Sequence, residues 1–128
     1  AEAPRHLVVA LANDQSPIAA LVLSRSPVLA DPDLVDGAAV GDELSQTAIA
    51  QRPYLSVGVS AALAELAPAP VLEALVRNPG AEIAEGTLAR IVERHGADPG
   101  VREALLARPG LPLTVRQAIA SALAATLS

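Results

Sequence analysis

Four arginines stand one or two places before a proline: Arg25-Ser26-Pro27, Arg52-Pro53, Arg77-Asn78-Pro79 and Arg108-Pro109. A guanidinium is a planar fork of donors matched to carboxylate and phosphate oxygens. A row of them along one edge of a stacked fold would make a ladder for an acidic peptide or a phosphoanion. The same cations also have a structural use. At the C-terminal end of a helix a positive side chain opposes the negative end of the dipole, worth roughly 0.3–1 kcal/mol at an exposed site.

The other chemistry-bearing residues are sparse. Tyr54, the sole aromatic, follows Pro53; as an exposed ring it would anchor a partner, and as a packed one it would cover a helix junction. With only two histidines, His6 and His95, and no cysteine, no metal site is expected. His95 extends the apolar stripe of Leu88, Ile91 and Val92 by a turn and reads as a packed or capping residue. Asp31, Asp33 and Asp36 begin like a calcium loop, but Val35 and Asp42 stand where further ligands are required. Acids in a first helical turn are ordinary dipole partners. Gly58-Val59-Ser60 echoes part of a nucleophile elbow without the second glycine or a preceding strand. No glycine loop for phosphates is present, and no catalytic residue, metal or cofactor is expected.

Composition narrows the fold. The chain has 128 residues, 52% of them hydrophobic, with no Phe, Trp, Met or Cys. Burial must come from Ala, Leu, Val and Ile, which suits closely packed helices. Disulfides, thiolate nucleophiles and cysteine zinc sites are excluded, and a cytoplasmic location is expected. The net charge of −5, with all nine basic residues Arg, argues against general nucleic-acid affinity. Every apolar run is interrupted well short of the roughly 18–20 residues a membrane helix needs. The opening residues lack a secretion-signal order and an initiator Met, so a segment of a longer protein is expected.

The elements that would position these residues are helices. Apolar side chains recur at helical spacing, as in Ile18, Leu21 and Val22, or Val59, Leu63 and Leu66. Ser16-Pro17, Asp31-Pro32 and Asp98-Pro99 read as N-caps followed by proline in the first turn. About nine short helices follow, near 4–13, 17–25, 32–40, 42–51, 56–66, 69–77, 83–95, 99–107 and 112–127. Most are too short to stand alone. Pro27, Pro53, Pro79 and Pro109 lie 26, 26 and 30 residues apart, and a period of that size with two helices per copy predicts an α-solenoid, taken as right-handed, in which helical pairs stack. Two residues after each proline comes an apolar side chain, Leu29, Leu55, Ala81 and Leu111, expected to plug the groove between consecutive helices. Residues 7–13 and 117–128 carry no charge. That predicts ends covered by a second copy in a homodimer or by other parts of the same polypeptide.

On these residues the chain resembles the uncharacterised bacterial family called domain of unknown function 2336 (DUF2336), similar in style to HEAT and leucine-rich-repeat-variant solenoids. The likeness is carried by Ser26-Pro27-Val28-Leu29, Leu55-Ser56 with Val59-Ser60-Ala61-Ala62-Leu63, Glu93-Arg94-His95-Gly96, and Arg102-Glu103-Ala104-Leu105-Leu106 before Leu111-Pro112. It departs at Gly110, where the pattern would place an acid. The resemblance implies an all-helical repeat domain over 1–128 and supplies no activity. The expected function is a non-enzymatic protein–protein interaction or scaffolding module in a bacterial regulatory protein. The alternative is a phosphoanion or nucleic-acid binder using the arginine edge. An enzyme would need convergent polar groups in a pocket, which the scarcity of His, Cys and paired carboxylates disfavours.

Overall fold

The structure, a computed structural model, describes Leu23 and residues 26–127. Within them lie seven helices: α1 (Asp31–Val40), α2 (Glu43–Ala50), α3 (Val57–Leu66), α4 (Ala69–Arg77), α5 (Glu85–His95), α6 (Pro99–Ala107) and α7 (Leu113–Leu127). Each matches an expected helix to within two residues at either end. The two helices expected before residue 26, and the Ser16-Pro17 start, lie outside the described residues apart from Leu23. Among the described residues no β-strand forms; the only extended pairing is a parallel bridge between Leu55 and Ala81.

Local chemistry sets the helix ends. Asp42, Ser56 and Asp98 each turn a side-chain oxygen onto the backbone N–H three residues on, at 2.9, 3.3 and 3.1 Å. That satisfies one of the free donors every helix start carries. Asp98 is thus the cap expected of it, but Asp31 is not. It is the first residue of α1, Ala30 is the N-cap, and the Asp33 carboxylate reaches back to accept the Ala30 N–H at 2.9 Å. The reason is that a carboxylate inside the first turn can serve the cap position as well as one placed before it. Gly41 and Gly96 end α1 and α5, their amides donating to Gly37 O and Val92 O at 2.8 and 2.7 Å.

The helices sort into two layers. α1, α3, α5 and α7 lie side by side in one, α2, α4 and α6 in the other, so each helix packs chiefly on the one two places along the chain. The core runs unbroken between the layers. It takes Leu34 and Ala38 from α1, Ile49 from α2, Leu63 from α3, Leu72 and Leu75 from α4, Ile91 from α5, Leu105 from α6 and Ile119 from α7. A buried side chain of this size contributes about 1.5–3 kcal/mol, too little for any one short helix to offset its ordering entropy alone. The buried Gln46 is satisfied by donating through Nε2 to Ala38 O at 3.0 Å, tying α2 to α1.

Leu29, Leu55, Ala81 and Leu111 are all buried. Leu55, Ala81 and Leu111 lie where a helix of the second layer passes into the next helix of the first, and Leu29 lies just before α1. No helix of the described residues is long and apolar enough to cross a membrane. Truncating one plug should be costly: Leu55→Ala is expected to lower unfolding free energy by about 2–5 kcal/mol. Denaturant melts read this directly, and an unchanged midpoint would contradict it.

Candidate functional site

A helix that runs into a proline keeps its last carbonyls without partners, because the chain beyond has one N–H fewer to give. α2 and α4 end in this way, and the donors come from the following unit. Asn78 Nδ2 donates to Ala50 O and to Arg52 O, both at 2.8 Å, at the end of α2. Arg108 Nη1 donates to Val76 O at 2.8 Å and Asn78 O at 3.1 Å, and its Nη2 to Ala81 O. Arg52 does the same one unit earlier, with Nη1 to Leu23 O at 2.6 Å and Nη2 to Ser26 O at 2.9 Å. In all three joints the residue directly before one proline bonds the carbonyl of the residue directly before the previous proline.

This geometry divides the arginines differently from their simple recurrence. Arg52 and Arg108 turn inward onto carbonyls, and burial pulls both guanidinium pKa values below the ordinary arginine value, offset at Arg52 by the nearby charge of Asp31. Arg77, one place further from its proline, is exposed and pairs with Glu73 of the same helix at 3.2 Å. Its place in the series is taken by Asn78. Arg25 lies outside the described residues. Counting back from each proline, instead of to the nearest cation, would have found Asn78.

A further hook escaped sequence reasoning. Arg94 Nη1 donates to Ala64 O and, at 3.4 Å, to Ala67 O, fastening the end of α5 to the end of α3. The only signal was an arginine in the last turn before Gly96. On the outer face of the same layer Arg90 grips Glu65 with two bonds, at 2.7 and 3.1 Å, and Glu93 at 3.1 Å. The hydrogen bond from Arg90 holds the Glu65 carboxyl below its usual range.

The remaining candidates separate by exposure. Tyr54 is 59% exposed on its loop, and Leu44, Leu66, Leu106 and Leu113 are exposed apolar side chains. Ser60 is fully buried within α3 with its hydroxyl unpartnered, and His95 is half-buried at the end of α5 with Nε2 likewise unpartnered. His6 lies outside the described residues. Among the described residues no group of three His, Cys, Asp or Glu side chains is placed to hold a metal ion.

An open groove of about 460 Å³ between α2 and α4 is lined by Gln51, Pro70, Glu73, Ala74, Arg77 and Asn78. A smaller one of about 210 Å³ lies between the ends of α4 and α6, where Arg77 again forms part of the wall. The wall of the larger groove combines the paired charges of Glu73 and Arg77 with proline and alanine.

Three variants test these assignments. Arg108→Gln should destabilise by about 1–3 kcal/mol, since buried carbonyls lose charge-assisted bonds, whereas Arg77→Gln should stay within about 0.5 kcal/mol. Ser60→Ala, removing an unpartnered buried hydroxyl, should leave stability unchanged or raise it. Denaturant melts check all three.

A pH titration tests the carboxylates. Asp42, held low first by the Ser45 N–H, and Glu65, held low by Arg90, have folded pKa values beneath the ordinary carboxylate range. Their contribution is complete above the unfolded value and disappears as pH falls through the folded one. The melting temperature of wild type should therefore drop on the acid side more steeply than that of an Asp42→Ala, Glu65→Gln double variant.

Comparison with known proteins bears on the family alone. No curated protein and no solved structure matches the chain. A family model described as "Uncharacterised protein conserved in bacteria (DUF2336)" matches residues 18–128. That span takes in all seven helices and all three proline joints, and the chain belongs to this family.

Proposed function

We propose that the chain is an α-solenoid of HEAT-like helical pairs that serves as a non-enzymatic protein-interaction or scaffolding module in a bacterial regulatory protein. The repeated joint supports the solenoid reading: the same pre-proline residue makes the same inter-unit bond at Arg52, Asn78 and Arg108. The observation that carries the functional reading is the apolar decoration of the outside. Tyr54, Leu44 and Leu66 lie exposed on loops or helix ends of a scaffold whose polar hooks point inward. Aromatic and aliphatic anchors held on a preformed surface are what protein recognition uses.

The arginine edge supports phosphoanion binding less well, because Arg52 and Arg108 have carbonyls as partners and Arg77 has Glu73. The exposed side of α7, including Leu113, Ala120 and Ser121, is a second contact surface in this reading, for another copy or for further polypeptide.

Affinity capture with the full-length protein, wild type against Tyr54→Ala and Leu66→Ser, tests the proposal. A specific protein should be retained by wild type and lost from the variants at unchanged melting temperature. Retention by both variants, or capture abolished instead by Arg77→Gln with a steep salt dependence, would overturn it.

A further inference from the structure

The position after each proline differs in the room it has, and the difference follows the residue before that proline. At Asn78 the joint is closed. The Leu55 amide donates to Gly80 O at 3.0 Å and the Glu82 amide to Leu55 O at 2.9 Å, so loops 53–55 and 79–82 pair backbone to backbone. A Cβ added to Gly80 would stand 1.9 Å from the Pro53 carbonyl oxygen. Neither backbone can give way without breaking that pairing.

At Arg108 the joint is open. A Cβ on Gly110, the counterpart of Gly80, meets nothing within 4 Å. Gly110 is glycine for a different reason, its φ of 73°, which side chains disfavour. Here Ala81 O takes its bond from the guanidinium, and the counterpart of Glu82 is Pro112, which has no N–H to pair. At Arg52 the post-proline residue is Tyr54, largely exposed and far too big for a joint as close as that of Gly80.

We infer that the side chain before each proline is a spacer that sets the gap between consecutive units. Asparagine, with its short reach, draws the loops into backbone contact and makes glycine obligatory after the proline. Arginine spans a wider gap and admits a residue as large as tyrosine. The described joints thus run open, closed, open, and the spacer residues determine the relative placement of the units.

Double-mutant cycles read by thermal melting test this. Gly80→Ala should lower the melting temperature sharply in the wild-type background and much less in Asn78→Arg, where the gap has opened. Reciprocally, Arg52→Asn should be destabilising, and Tyr54→Gly should restore part of the loss in that background while lowering the melting temperature on its own. Additive shifts in both cycles would overturn the inference. Where Asn78→Arg does not fold, amide exchange on the unmodified chain decides. Leu55 and Glu82 should exchange slowly, and Gly110 and Leu111 fast. Equal rates at the two joints would refute the spacer.

Discussion

The structure depends on one shortage: a helix stopped by proline exposes carbonyl oxygens that its own turn cannot satisfy. Buried carbonyls without donors are costly, and these part-buried ones lie where one unit meets the next. Donors must therefore come from outside the unit. They arrive from a side chain 26 to 32 residues further on, in the next copy of the same turn. This is why the units are held to one another by polar bonds as well as by the aliphatic core. It also explains why helices of eight to eleven residues persist here although each is too short to be stable alone.

The same shortage decides which cations face solvent. A guanidinium satisfies several carbonyls at once because its donors are fixed in a plane, so the arginines nearest the prolines are drawn inward. What remains outside is a mixed surface in which the net negative charge of the chain is interrupted by leucines and one tyrosine. Paired charges such as Glu65 with Arg90 brace that surface between neighbouring helices.

Much of the fold was legible in the sequence because it rests on short-range signals. Prolines and helical apolar spacing set the seven described helices, and the residue two places after each proline was recognisable as buried from its unvarying apolar character. The joints were less legible. Arg77 and Arg108 look alike in a linear reading, yet one residue of displacement turns a helical side chain through about 100° and sends one to solvent and the other to the previous unit. Asn78 was invisible as their counterpart because it shares only the ability to donate with arginine. Asp33 shows the same weakness at a helix start: several acids lay within reach of the cap, and only three-dimensional geometry selects among them.

The side-chain hooks all point one way, each lying later in the chain than the carbonyls it satisfies. A nascent chain leaving the ribosome therefore presents an acceptor end before its clasp has been made, and every unit is finished only by the arrival of its successor. Closure of the described joints is in this sense vectorial, with the most recently synthesised turn closing the one before it.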